Sequence, residues 1–208
     1  MSVRAEPLPK DFLGWQVALR HHTMVARNGA PHIGVVPIVI VKRPGTPLGV
    51  LSHSIVCGLL PHERLLEAKT REFRDLYESN AAEGARAIYD QGIEYLLGYY
   101  DSTDSFDPGS VTSLLPKDCP LVDALRAEPR CSLVFNVFEA SDPQNLGAPR
   151  CTQVDAVADV LESGPVYDNV WWHNTLFHGM ADAHVVIHFK HQRSWDTRFG
   201  QLQALRSG

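Results

Sequence analysis

The spacing of apolar and polar residues changes several times along the chain, and each change marks an element. Residues 29–41 form the longest near-continuous apolar, β-branched run. At the two-residue period of a strand, Ile33, Val35, Val39 and Val41 fall on one side, and Val36, Ile38 and Ile40 on the other. A strand apolar on both sides is covered on both sides. The run therefore predicts a barrel wall that also meets a partner subunit. Pro37 cannot donate to a ladder, so a bulge or an edge is expected there. Residues 23–27 read as the preceding strand, joined through Asn28-Gly29, a strong hairpin signal. Pro44, Gly45 and Pro47 mark the next turn, and residues 48–51 a third strand.

From about Leu59 the period becomes helical. Leu65, Leu66, Phe73, Leu76 and Tyr77 recur at helix spacing, with Pro61 near the start. Asn80-Ala-Ala-Glu83 reads as a capping box for a second helix carrying Tyr89, Ile93, Leu96, Leu97 and Tyr100. Residues 101–109 read as a loop, and residues 120–127 as a short helix. Another short helix is expected over residues 11–20, opened by Asp11. Strand alternation returns at residues 130–138, where Cys131, Leu133, Phe135 and Val137 share a face. In residues 150–161, Val154, Ala156, Ala158 and Val160 alternate with Gln153, Asp155 and Asp159, giving one buried and one wet face. Gly164-Pro165 breaks that strand, and Trp171-Trp172-His173-Asn174 follows in a loop or helix start. Residues 183–189 form a last long strand, with Val185, Ile187 and Phe189 inward and His184, Val186 and His188 opposite. Residues 197–200 close the set. Six or seven antiparallel strands, joined by short turns and closed on themselves, fit this order. The expectation is a mainly β, α+β chain: one domain over residues 1–208, with a helical insertion at residues 59–129.

Composition narrows the function classes. The 208 residues are 44% hydrophobic and 21% charged, ample for one sizeable core. A net charge of −5 gives no global reason to expect nucleic acid or an anionic membrane. Residues 59–129 hold fourteen acidic and seven basic side chains, so the acidity sits in the insertion and the barrel is near neutral. No apolar run approaches the ~20 residues that span a bilayer. The four cysteines are irregularly spaced and the start of the chain carries no signal-peptide pattern, so reduced thiols in a cytoplasm are expected.

Five of the ten histidines lie between positions 173 and 191. On a helix His184 and His188 would chelate a metal. On a strand they stand about 13 Å apart, at ~3.3 Å per residue, too far to share an ion. No metal site is therefore expected from that pair, while one of the five as an axial haem ligand stays open. Trp171 and Trp172 offer either a stacking wall for a flat ligand or packing at the barrel end. Ser52-His53-Ser54 lacks the elbow that would make a nucleophile of its serines.

The order of motifs resembles the FMN-binding split barrels of the pyridoxamine 5′-phosphate oxidase-like superfamily, above all its haem-utilisation branch. The matching residues are Asn28-Gly-Ala-Pro31, Leu51-Ser-His-Ser54, Glu128-Pro-Arg-Cys-Ser-Leu133, Ala148-Pro-Arg-Cys-Thr152 with Ala158 and Val160, and Phe199-Gly200. They cover roughly residues 22–58 and 129–200. The resemblance implies a six-stranded split barrel, a homodimer, and FMN at the dimer interface. It places the phosphate on Ser52, Ser54 and Arg150. It puts His53 near the ligand and Trp171 or Trp172 beside the ring. The sequence departs from the family where Ile55-Val-Cys-Gly-Leu-Leu, without a cation, follows Ser54, and where residues 59–129 replace a short helix. Three functions follow as expectations. The first is a cytoplasmic, dimeric, FMN-dependent oxidoreductase acting on a small organic substrate. The second is a haem-binding or haem-degrading protein. The third is a flavin-free barrel binding a small organic ligand.

Overall fold

The computed structural model describes residues 6–7, 37–80, 106–138, 149–178 and 183–198. The expected helix at 11–20, the strand at 23–27 with its Asn28-Gly29 turn, the helix after Glu83 and the closing Phe199-Gly200 lie outside these residues. In chain order the elements are β1 (Glu6–Pro7), β2 (Ile38–Lys42), β3 (Val50–Ser54), β4 (Gly58–Pro61), α1 (Glu63–Asn80), β5 (Phe106–Pro116), α2 (Pro120–Ala127), β6 (Arg130–Phe138), β7 (Pro149–Leu161), α3 (Pro165–His178) and β8 (His184–Arg198).

All described strands join one sheet in the order β3-β2-β6-β7-β8-β5-β4, with β1 paired to β8 beside β5. Each pairing among the described strands is antiparallel. The two ends of this path, β3 and β4, are neighbours in sequence. Only Ile55, Val56 and Cys57 separate Ser54 from Gly58, a span of at most about 14 Å when fully extended. A flat sheet would hold its first and seventh strands about twice as far apart, at ~4.8 Å per strand. The sheet therefore curls until its edges approach, and the mainly β barrel with added helices is as expected.

The inner surface is filled by alternate residues of nearly every strand. Val39, Val41, Val111, Leu133, Val154, Val185, Ile187 and Phe189 are all buried, and the α2 residues Leu121, Val122, Ala124 and Leu125 complete the core. A second cluster lies on the opposite side of the sheet. There α1 and α3 bring Leu66 and Val170 onto Leu60 of β4 and Val186 of β8. Val186 was expected on the face away from the core, and it does face that way. It is buried because the helices cover it. Asn169 of α3, also buried, donates to the Thr70 hydroxyl of α1 at 3.0 Å and fixes the two helices together.

Two differences from the expected elements carry structural meaning. Residues 59–129 contain α1 and α2 but also the strands β4 and β5. β5 pairs with β8 over seven residues from Ser110 to Pro116. Part of the segment expected as a helical insertion is thus barrel wall. Trp171 and Trp172 lie within α3, where Trp172 meets Tyr77 of α1 with ring centroids 5.9 Å apart. None of the described helices is long and apolar enough to cross a membrane.

His188 stands on the covered face of β8, opposite Thr112 of β5 and Asp159 of β7. Burial, and then the Lys190 ammonium, lower its pKa. Asp159 and Asp107 oppose the change without reversing it. Its Nε2 is buried without a hydrogen-bond partner among the described residues. The imidazole is therefore held neutral.

Two predictions follow for stability. Phe189→Ala opens a cavity in the core and lowers stability by about 3–5 kcal/mol in urea titrations. Leu48→Ala, at a residue 85% exposed on the β2–β3 turn, changes it by less than about 0.5 kcal/mol. The second concerns pH. The unfolded chain takes up a proton at His188 near pH ~6.5, whereas the folded chain resists it until lower pH. Stability from this residue is thus full above about pH 6.5 and declines as pH falls below it. His188→Asn flattens the stability–pH curve between about pH 6.5 and 5. An unchanged slope in that variant assigns the loss to other groups.

Candidate functional site

The outer faces of β2, β3, β6, β7 and β8 lie side by side in fixed register. Ser52, Ile40, Ser132, Asp155 and Arg193 form one row across the five strands. In the row beyond, Ser54, Ile38, Val134 and Gln153 stand in line. Because the two-residue period sends Val39 and Val41 inward, Ile38 and Ile40 must face out. They are 37% and 36% exposed, and Val50 beside them is 37% exposed. The two-sided apolar character read from residues 29–41 is therefore real over the described part of β2.

A groove of about 490 Å³ opens on this face. Ile40, Val50, Ala156 and Val157 give it an apolar floor, and Lys42, Glu128, Arg130, Asp155, Gln192 and Arg193 surround that floor with charge and hydrogen-bonding groups. A bulge shapes one wall. In the β7–β8 ladder Asp155 pairs with Arg193 but Ala156 pairs with His191, so Gln192 is an extra residue. Bulges re-aim side chains, and here Gln192 and its neighbour Arg193 both reach the groove.

Asp155 is the most heavily bonded group in the wall. Its carboxylate accepts from the Ser132 hydroxyl at 2.8 Å, the Gln153 amide at 3.1 Å and the Arg193 guanidinium. Partial burial works against its charge, but these donors prevail and hold the carboxyl below its ordinary range. Asp155 is thus a fixed anion that orients its neighbours. Glu128 and Arg130 make the second ion pair. Arg130 Nε donates to Glu128 Oε1 at 2.8 Å and Nη2 donates to Oε2 at 3.1 Å. That contact lowers the Glu128 pKa to about 2. Lys42 makes no contact ion pair among the described residues, though its charge also acts on Glu128. Cys131 borders the groove, but burial, with Asp155 nearby, pushes its thiol up to about 12. Burial likewise raises the Cys57 thiol. Both stay protonated and are poor nucleophiles.

The residues singled out from the sequence fall in three places. Ser52, His53 and Ser54 lie within β3, not in a loop after it. The strand period puts Ser52 and Ser54 on the groove's face, with Ser52 beside Ile40, and sends His53 to the opposite face beside Val39. Arg150 pairs with Val137 and Arg198 at the start of β7. That is five residues, about 16 Å along the strand, from Asp155. Its side chain lies outside the described set. Trp171 and Trp172 belong to the α1–α3 layer, stacked edge to face at 4.9 Å. Of the five whose side chains are described, none lines this groove. His184 and His188 share one strand at the spacing expected, and no group of three metal-ligating side chains occurs among the described residues.

The groove's own residues carried only a weak mark in the sequence. Asp155 falls on the wet face that alternation predicts for its strand, but Lys42, Arg130 and Arg193 converge only through pairings between distant segments.

No protein-family model matches the chain, and no curated protein is similar to it in sequence. Solved structures are similar in fold. A pyridoxamine 5′-phosphate oxidase-like protein from Listeria innocua is 9% identical, with a TM-score of 0.44 over 86% of this chain and 95% of that one. A FAD-binding protein from Mesorhizobium loti is 7% identical, with a TM-score of 0.45 over 93% of this chain and 97% of that one. A heme-binding protein from Mycobacterium smegmatis is 14% identical, with a TM-score of 0.43 over 86% of this chain and 52% of that one.

Proposed function

We propose that this chain is a flavin-dependent oxidoreductase that carries FMN in the groove on its outer face and acts on a small organic substrate. The single observation behind this reading is the groove's division into an apolar floor and a cationic end. Its volume of about 490 Å³ lies within the roughly 300–1,000 Å³ of sites for small molecules and cofactors. Ile40, Val50 and Val157 suit the flat ring of such a ligand. Lys42 and Arg130 suit a phosphate, the one as a point charge and the other as a fork. The motif order along the sequence supports the same reading.

When bound, the flavin supplies hydride or single-electron chemistry, and the protein supplies position and electrostatics. Asp155 holds Arg193 and Ser132 in place, so the wall keeps its shape as ligand enters. The half-exposed Ile38, Ile40 and Val50 form an apolar strip alongside. We assign that strip to a second copy of the chain, which would exclude water from the groove. Three described cysteines are free thiols, in keeping with a reducing, cytoplasmic setting.

The visible spectrum of the purified protein, before and after incubation with FMN, tests the reading. A broad blue-absorbing flavin band is expected. One intense band at the violet edge would replace this reading with the haem one, and a protein that takes up neither cofactor would support the flavin-free barrel. Lys42→Ala is expected to weaken FMN binding about tenfold, the scale of one charge-assisted hydrogen bond. Riboflavin, which lacks the phosphate, should bind both forms alike.

A further inference from the structure

The fork that suits a phosphate is already engaged. Arg130 gives two guanidinium hydrogen bonds to Glu128, and the Arg130 backbone N–H adds a third to Oε1 at 3.2 Å. We infer that Glu128 is a competing latch on the anion end of the groove, holding the Arg130 fork against a phosphomonoester drawn in by Lys42. The inference rests on the phosphate-bearing ligand proposed above and adds how this chain regulates access to it.

Three features of the fold suit Glu128 to that role. First, its backbone is fixed while its side chain is not. Glu128 is the C-cap of α2, its N–H donates to Ala124 at 2.9 Å, and the next residue, Pro129, accepts from the Ala158 N–H at 2.8 Å. The carboxylate can therefore leave Arg130 by a change of rotamer, without moving helix or strand. Second, the contact is within reach of a ligand. The Arg130 side chain is 76% exposed and that of Glu128 24%, so an entering anion can approach the fork from solvent and trade one charge-assisted contact for another. A carboxylate at a helix C-terminus also meets the negative end of the helix dipole. Third, Lys42 makes no hydrogen-bonded ion pair among the described residues, but its charge acts on Glu128, so a phosphate that displaces the Glu128 carboxylate gains Lys42 as well as the fork. Since Arg130 keeps Glu128 ionised, the latch yields to competing anions and not to mild acidification.

The test measures dissociation constants of FMN, riboflavin and inorganic phosphate for the full chain and for Glu128→Gln, Arg130→Ala and the double variant. Phosphate binding is read from broadening of its phosphorus resonance. Glu128→Gln should tighten FMN and phosphate by roughly two- to fivefold, the range of an exposed ion pair, and leave riboflavin unchanged. In the Arg130→Ala background the gain should shrink to what loss of one negative charge near Lys42 brings, because there is no fork left to release. Weaker or unchanged phosphate binding in Glu128→Gln overturns the latch, as does an equal gain for riboflavin or a gain undiminished by loss of Arg130. Phosphate keeps this separate from the functional reading. A protein that binds no flavin ends that reading, yet its phosphate affinities still decide whether Glu128 competes for Arg130.

Discussion

Closure is the constraint on which the rest of this structure depends. β3 and β4 are the two outermost strands of the path, and three residues tie them together. A sheet with its edges bound so closely must curl, and curling creates two unlike surfaces. The concave one is filled by Val, Ile, Leu and Phe side chains with α2 packed among them. The convex one splits again: α1 and α3 cover the part near β4, β5 and β8, while the part over β3, β2, β6 and β7 carries the groove. The location of the site is thus a consequence of where the helices are not.

Polar groups on that convex face are organised in pairs. Asp155 with Arg193 and Glu128 with Arg130 each bring opposite charges together across short distances. The two pairs differ in how they are held. Asp155 is bound by three side chains from three strands and has little freedom. Glu128 is hydrogen-bonded by Arg130 alone among the described residues, at the more open rim. The same chemistry therefore serves as a scaffold at one end of the groove and, as proposed above, as an exchangeable contact at the other.

Most of the wall was legible in the sequence, and the exceptions have physical reasons. β6 spans the residues that alternation assigned to it, β7 begins one residue earlier, and α2 is bounded as expected from its leading proline. These segments each bury one face, so their period is clean. β5 was missed. Its Asp107-Pro-Gly-Ser110 start looks like a turn, and its buried Ser110, Thr112 and Ser113 carry no apolar signal. α3 was left between loop and helix because its aromatic residues show no clear helical stripe. The site was harder still. Lys42 and Asp155 are 113 positions apart in the chain, and only the β2–β6–β7 ladder brings them to one groove.

β8 has a consequence for how such a barrel comes into being. It is the last described strand in sequence, yet it sits between β7 and β5 in the sheet and joins the two halves of the wall. A chain emerging from the ribosome can form the β2–β3 hairpin early, but β5 and β7 then wait with open edges for their common neighbour. Pairings over such long sequence separations form slowly, and open edges invite wrong partners. The wall is thus completed only when β8 takes its place between β7 and β5.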